Sequence, residues 1–345
     1  MSLISEIHEQ ADVLESLLKN QRELVESIAA KLRQNLPKYV FLAARGTSDN
    51  AGRYANYVWG SLNRLPVALA TPSLFTLYQQ PPSLKDSLVV GISQSGQSPD
   101  IVSVLEEGRR QGSLTLAITN AAQSPLAQAA DFILDIQAGH ELAVAATKTY
   151  TAELMTIAML SAALRQDEIM WLELSQVPSW TRVMLAQDEK IARCTERYRY
   201  MERCVVLGRG YNYATAFEWS LKLKELTYVI AEPYSSADFQ HGPIAIVDPG
   251  FPVMVVAPTS KILDNFLPLL RRLHDEQNAE LVILSDLPEV LALARTPIAL
   301  PAEVPEWLSP LVAIVPAQMF SCYLTQVKGF STEAPRSIRK VTETE

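Results

Sequence analysis

The sequence predicts an α/β protein with two similar domains, each a parallel sheet covered by helices on both faces in three layers. Three observations support this fold class. The strand-like segments are apolar throughout, as in strands buried on both faces. They alternate with segments of helical periodicity. A strand followed by Arg-Gly occurs twice, at an offset of roughly 165 residues that also relates two further pairs of strands.

The first predicted element is a helical lead-in over residues 1–34, because apolar residues recur at helical spacing between charged ones. The first domain follows over residues 35–165. Its apolar and periodic segments predict, in order, a strand at 39–43, a helix at 49–62, strands at 67–70 and 88–92, a helix at 100–111, strands at 114–119 and 132–136, and a helix at 144–164.

The second domain is predicted over residues 204–325, after a helical connector at 166–203. Its first strand and turn, CVVLGRG at 204–210, repeat the plan of VFLAARG at 40–46. Strands at 253–257 and 281–284 correspond in the same way to those at 88–92 and 114–118. Residues 326–345 then form a C-terminal tail.

Composition limits the possible partners and compartments. The net charge of −8, the pI of about 5.2 and the absence of a basic block argue against nucleic acid and anionic membranes. The three cysteines are odd in number and lack metal-ligand spacing, which predicts free thiols. The first residues, MSLISEIHEQADV, have no basic flank and no apolar core of signal-peptide length, and no apolar run is expected to approach the roughly 18 residues of a spanning helix. A cytoplasmic protein is therefore expected.

The stretch GISQSGQS, residues 91–98, joins a buried strand to a helix. Serine hydroxyls and free backbone N–H groups at a helix start suit a phosphate dianion. The corresponding segment of the second copy, VVAPTSKI, lacks this pattern, so the fold does not require it. One phosphate pocket per chain is expected, with a serine-rich turn that binds nothing as the alternative.

Both copies also carry a glycine turn between a strand and a helix, in AARGTSDNAGRYA at 43–55 and LGRGYNYATAFEWS at 207–220. Neither turn is G-x-G-x-x-G, and no acidic residue follows where a ribose partner is expected, which disfavours a dinucleotide. Ligands of open parallel sheets bind beyond the carboxyl ends of the strands. Both glycine turns and the serine-rich stretch fall there.

Five tracts in order complete the pattern: ARGTSDN, ISQSGQSPD, ELAVAATKTYTAEL, FEWSLKLKELTY followed by SADFQHGP, and APRSIRKVTETE. Together they resemble the tandem sugar isomerase (SIS) domain family of phosphosugar-binding proteins, and specifically the isomerase half of glucosamine-6-phosphate synthases. The resemblance extends from about Tyr39 to Glu345. It implies two SIS domains and a C-terminal tail that closes over the active site.

The resemblance also implies a substrate-binding set. Ser93, Gln94, Ser95 and Ser98 match the family's phosphate loop, in which Gly96 allows close approach of the backbone. The full predicted set adds Thr47, Ser48, Val144 and Arg339. Ser48 could equally be the N-cap of the following helix.

The catalytic set implied by the resemblance is Glu225, Lys222, His241 and Lys340. Glu225 is the base that moves a proton between C1 and C2 of the open-chain sugar, with Lys222 one helical turn before it. Without the resemblance, Glu225 would be an exposed glutamate on an amphipathic helix. His241 assists ring opening from the neighbouring subunit of a homodimer, and Lys340 folds over the sugar. No metal or cofactor is expected, and the other three histidines have no predicted role.

Departures from the synthases bear on the reaction. Synthases begin with a glutaminase domain whose cysteine follows the initiator methionine, whereas Ser2 stands here and the SIS region begins within 40 residues. The expected reaction is therefore the release of ammonia, converting glucosamine 6-phosphate to fructose 6-phosphate. Ala146 and Arg339 replace a serine and an alanine near the reacting end of the sugar. A fructosamine-6-phosphate deglycase and a non-catalytic sugar-phosphate regulator remain as alternatives.

Overall fold

The computed structural model describes residues 2–340, which divide into two compact units. Among these residues, the first unit contains Glu9–Leu142, Ala146–Pro178 and residues 338–340, and the second contains residues 2–8, Ala143–Ala145 and Ser179–Ser337. Each unit has its own five-stranded parallel sheet.

The sheet of the first unit has three buried central strands and two partly exposed edge strands. The strands are β1 (Tyr39–Ala43), β2 (Val67–Leu69), β3 (Ser87–Ile92), β4 (Leu114–Thr119) and β5 (Phe132–Asp135), in the order β2-β1-β3-β4-β5. The helices are α2 (Gln10–Gln34), α3 (Gly46–Asn63), α4 (Ser73–Thr76), α5 (Pro99–Arg110), α6 (Pro125–Gln128) and α7 (Lys148–Arg165). Helix α7 is buried along most of its length and packs against α2 and α3.

The second unit repeats this topology, which confirms the two-domain α/β prediction. Its strands are β6 (Arg203–Gly208), β7 (Ile230–Ser235), β8 (Pro252–Val256), β9 (Glu280–Ser285) and β10 (Thr296–Ala299), in the equivalent order β7-β6-β8-β9-β10. The helices are α1 (Leu3–His8), α9 (Asp188–Thr195), α10 (Tyr213–Thr227), α11 (Ser236–Phe239), α12 (Leu263–Arg271), α13 (Pro288–Leu291) and α14 (Ser309–Val327). Helix α8 (Glu168–Leu185) contains the boundary between the two units.

Helix α14 corrects one sequence expectation. Within residues 2–340, the segment Glu306–Val327 is long and apolar enough to cross a membrane by length and composition. The expectation that no apolar run approaches that length is therefore wrong. The segment is apolar because it is a core helix: 94% of an 18-residue window within it is buried inside the protein, where α14 packs against α9 and α10.

The lead-in is two helices rather than one. Helix α1 belongs to the second unit, where the backbone N–H of Leu3 donates to the Glu333 carboxylate and His8 lies 3.6 Å from Asp188. Helix α2 belongs to the first unit. Apolar periodicity predicts helix across both segments, but it carries no information on which core each segment joins.

Candidate functional site

The serine-rich loop of the first unit, residues 93–98, connects β3 to α5. The backbone N–H of Ser93 donates to the carbonyl of Ile118, and the Ser93 hydroxyl accepts from the N–H of Gly96 at 3.1 Å. Gly96 has φ +62°, and a Cβ added there would lie 2.0 Å from the Ser124 hydroxyl oxygen. The turn therefore requires glycine.

The loop divides its side chains between structure and solvent. Ser93 is buried and shapes the turn, whereas Gln94, Ser95 and Ser98 are half-buried. Ser98 is the N-cap residue of α5, but its side chain makes no capping hydrogen bond. The hydroxyls of Ser95 and Ser98 are therefore the loop groups best placed to bind an anion at the start of a three-turn helix.

An ion pair that was not predicted from the sequence ties this helix start to the glycine turn after β1. The guanidinium of Arg45 donates to Asp100 Oδ2 through Nε at 2.8 Å and through Nη2 at 2.7 Å. The Asp100 side chain is fully buried, and that of Arg45 is half exposed. The sequence contained one indication of this ion pair: Arg45 in ARGTSDN and Asp100 in SPD follow the ends of β1 and β3, which are neighbouring strands.

Thr47 and Ser48 lie in the first turn of α3, which begins at Gly46 with Arg45 as its N-cap residue. Thr47 is half-buried. Ser48 is buried and donates its hydroxyl to Glu153 Oε1 at 2.8 Å. The alternative that Ser48 is an N-cap is wrong, because the helix starts two residues earlier. Its role in substrate binding stays a prediction.

Helix α10 of the second unit carries three charged side chains on one face, at positions i, i+4 and i+7. Lys222 Nζ lies 2.6 Å from Glu225 Oε2 and 3.3 Å from Glu218 Oε1. Lys222 and Glu218 are almost fully buried, while 24% of the Glu225 side chain is exposed. Glu225 is thus the member of this triad that a ligand can reach.

Electrostatics keep Lys222 charged. Burial alone lowers its pKa, but the carboxylates of Glu218 and Glu225 outweigh that effect and raise the pKa above its usual value. The ammonium of Lys222 therefore balances the two carboxylates and holds Glu225 in place. Lys222 and Glu225 were predicted from the sequence and Glu218 was not, although the spacing of the three residues is visible in FEWSLKLKEL.

His241 lies in the second unit just after α11, and it is exposed. Its backbone N–H donates to the carbonyl of Asp238, and Gly242 follows with φ +133°. Pro243 then starts a short 3₁₀ turn, Pro243–Ile246. The chain therefore turns tightly directly after His241, whose imidazole is exposed to solvent.

The remaining predicted residues lie in different units. In the first unit, Lys340 Nζ donates to Glu141 Oε2 at 2.6 Å, and Arg339 is exposed. Val144 is half-buried and belongs to the second unit. The first unit thus holds the serine-rich loop, Thr47, Ser48, Arg339 and Lys340, and the second holds Val144, Lys222, Glu225 and His241.

Neither a disulfide nor a cluster of metal ligands is present in the part of the chain that the structure describes. Cys194, Cys204 and Cys322 are free, as expected from their number and spacing. Among residues 2–340, no group of three or more His, Cys, Asp or Glu side chains is arranged to hold a metal ion.

The chain is similar in sequence to one protein family and to its curated members. The SIS domain family profile matches residues 37–163 and 199–328. The chain is 31% identical over 348 residues to a glutamine–fructose-6-phosphate aminotransferase (isomerizing) of Thermococcus kodakarensis, a match that covers 98% of this chain and 57% of that protein. The chain thus spans little more than half the length of such curated relatives.

Two solved structures share both fold and sequence. A proposed phosphosugar isomerase from Silicibacter pomeroyi has a TM-score of 0.86 and 30% identity, with 96% of this chain and 100% of that chain covered. The C-terminal domain of a glucosamine-fructose-6-phosphate aminotransferase from Francisella tularensis has a TM-score of 0.85 and 27% identity, with 96% and 98% covered.

Proposed function

The chain belongs to the SIS domain family, and from this premise we propose that it is a phosphosugar isomerase that releases ammonia from glucosamine 6-phosphate. The observation that carries the proposal is the triad on α10. A partly exposed carboxylate, Glu225, is fixed at 2.6 Å from a buried ammonium, which in turn is fixed by the buried Glu218. This arrangement suits a general base that must take up and return a proton at one position.

The proposed reaction begins with opening of the pyranose ring, assisted by His241. Glu225 then removes the proton from C2 of the open-chain aldehyde and delivers it to C1, which converts C2 into an imine. Water adds to C2, the C2–N bond breaks, and fructose 6-phosphate and ammonia leave. Atoms balance with one water consumed, and neither an oxidant nor a reductant is required.

Phosphate recognition is assigned to the serine-rich loop. The hydroxyls of Ser95 and Ser98 and the start of α5 offer donors to a dianion. Arg45 adds a half-exposed cation beside the same helix start, held there by the buried Asp100. A phosphorylated sugar should therefore bind much better than its unphosphorylated counterpart.

A reaction that releases ammonia is compatible with the chemistry named for the relatives. Relatives named glutamine–fructose-6-phosphate aminotransferase combine nitrogen transfer with isomerisation of a sugar phosphate. Proton transfer between C1 and C2 is reversible, so a site able to catalyse it in one direction also serves the other. Release of ammonia requires no glutamine.

The experiment is a substrate panel. Ammonia release and ketose formation are measured with glucosamine 6-phosphate, glucosamine and a fructosamine 6-phosphate. The proposal expects turnover of the first compound only. Turnover of the fructosamine 6-phosphate alone would support a deglycase, and tight binding without turnover of any compound would support a regulator.

Homodimerisation is part of the proposal, with His241 serving the neighbouring subunit. Glu225→Gln and His241→Ala subunits, each inactive alone, should regain part of the activity after subunit exchange. No recovery after verified exchange would contradict the shared arrangement.

A further inference from the structure

Glu141 is a buried carboxylate placed at the start of a long buried helix. Its Oε1 accepts from the backbone N–H groups of Thr147 at 2.9 Å and Thr149 at 3.1 Å, and its Oε2 accepts from the Thr149 hydroxyl at 2.7 Å. Thr147 is the N-cap residue of α7, and Thr149 lies in its first turn. Glu141 therefore satisfies N-terminal donors of α7 from outside the helix, where a negative charge is favoured.

The same carboxylate holds the C-terminal part of the described chain. Lys340 Nζ donates to Glu141 Oε2 at 2.6 Å, and the Glu141 side chain is fully buried while 23% of the Lys340 side chain is exposed. A buried carboxylate strongly favours a cationic partner, since leaving it unpaired is costly. Lys340 is thus an anchored cation in this structure.

The charge state follows from these contacts. Burial alone raises the pKa of Glu141, but the Lys340 ammonium and the hydrogen bonds from Thr147 and Thr149 outweigh it and lower the pKa below its usual value. Glu141 is therefore ionised at neutral pH. Its charge is shared between the start of α7 and the ammonium of Lys340.

We propose that Glu141 is a positioning residue that fastens the C-terminal segment to the start of α7 through Lys340. No interaction of Glu141 with the sugar is involved. Its consequence for the sugar reaction rests on the proposed function and on the expectation, implied by the resemblance, that Lys340 folds over the sugar. The fastening itself is a property of the first unit and does not depend on that function.

The fastening is tested without substrate by digestion with endoproteinase Lys-C, which must take the Lys340 side chain into its own pocket. Cleavage after Lys340 is followed by intact-mass spectrometry as loss of the last five residues. Because the ion pair must first open, Glu141→Gln should speed this cleavage about tenfold, the effect expected for loss of one charged hydrogen bond.

Glu141→Asp provides a second variant in case Glu141→Gln folds poorly, because it keeps the charge and shortens the reach. It should also speed the cleavage. The control is Asp86→Asn, which removes an ion pair of similar length elsewhere in the first unit, 2.7 Å between Lys38 Nζ and Asp86 Oδ2. The control should leave cleavage after Lys340 at the wild-type rate. Wild-type rates for both Glu141 variants would overturn the proposal.

Kinetics separate a positioning role from a merely structural one. Glu141→Gln and Lys340→Gln should raise the KM for the phosphosugar by similar factors, and the double variant should be no worse than the more affected single variant. Effects that multiply in the double variant would overturn the link between the two residues. If no amino-sugar phosphate is turned over, the proposed function fails, and the Lys-C result still decides the fastening.

Discussion

The ammonium of Lys222 lies 2.6 Å from the nearest carboxylate oxygen of Glu225, inside a helix face where Glu218 is the next neighbour at 3.3 Å. Lys222→Met should lower the free energy of unfolding by about 3–5 kcal/mol, because it leaves the buried carboxylate of Glu218 without its cation. Urea unfolding at neutral pH measures this loss. Lys224→Met, on the exposed side of the same helix, should change stability by less than about 0.5 kcal/mol.

Ser95→Ala should raise the KM for the phosphosugar and leave the weak binding of the unphosphorylated sugar unchanged. Loss of one charge-assisted hydrogen bond should weaken the binding free energy by about 1.5–3 kcal/mol. Steady-state kinetics measures the KM, and calorimetry measures the affinity for each of the two sugars. Ser103→Ala, which removes a hydroxyl bonded to the backbone of α5 outside the loop, is the control and should leave both affinities intact. Equal wild-type affinity for the two sugars would reject the phosphate assignment.

Gly96→Ala should destabilise the protein and abolish tight binding of the phosphosugar. The left-handed backbone costs a non-glycine residue about 1–2 kcal/mol, and the new methyl group would lie 2.0 Å from the Ser124 hydroxyl oxygen. Gly112→Ala is a close control, because Gly112 also has positive φ, at +80°, but faces open space. It should show the backbone cost alone. Equal decreases in Tm for the two variants would contradict the predicted clash, because they would show that the loop moves to accommodate the methyl group next to Ser124.

The stability supplied by Glu141 should disappear in acid. A carboxyl group whose pKa is lowered by folding stabilises the protein above its unfolded pKa, near 4.5, and this contribution is lost as the pH falls through the lower folded value. The difference in unfolding free energy between wild type and Glu141→Gln should be full at pH 7 and shrink below about pH 4.5. Urea unfolding across this range measures it. A constant difference would show that ionisation of Glu141 is not involved.

Much of the fold was predictable because buried parallel strands are continuous apolar runs. The bounds of β1 and β4 agree with the prediction to the residue. Helix α7 was expected from residue 144 and begins at Lys148. The run Ala143–Ala146 is compatible with helix, but Glu141 accepts the N–H groups of Thr147 and Thr149. This contact depends on tertiary structure and has no local signature.

The site was predictable to the extent that its residues stand in motifs. The resemblance supplied Glu225, Lys222 and the serine-rich loop. It gave no role to Asp100 or Glu141, whose buried carboxylates pair with the partly exposed cations of Arg45 and Lys340. A buried aspartate and a solvated one look alike in a single sequence, because the partner lies 55 or more residues away along the chain.

The central claim is that Glu225 moves a proton during the release of ammonia. Glu225→Gln keeps the shape of the side chain and removes its basicity, so binding of glucosamine 6-phosphate should survive. Turnover should fall by about 10²–10⁴-fold, the usual loss for a general base. The control Glu232→Gln, at an exposed position of β7, should leave both substrate binding and turnover unchanged.

The most direct measurement is ammonia release and deuterium incorporation in the same reaction in deuterated water. Wild type should release ammonia and place deuterium at C1 of fructose 6-phosphate. Glu225→Gln should bind the substrate, but both its ammonia release and its deuterium incorporation should be much slower than those of wild type. A Glu225→Gln variant that releases ammonia at the wild-type rate, with the same label at C1, would contradict the account.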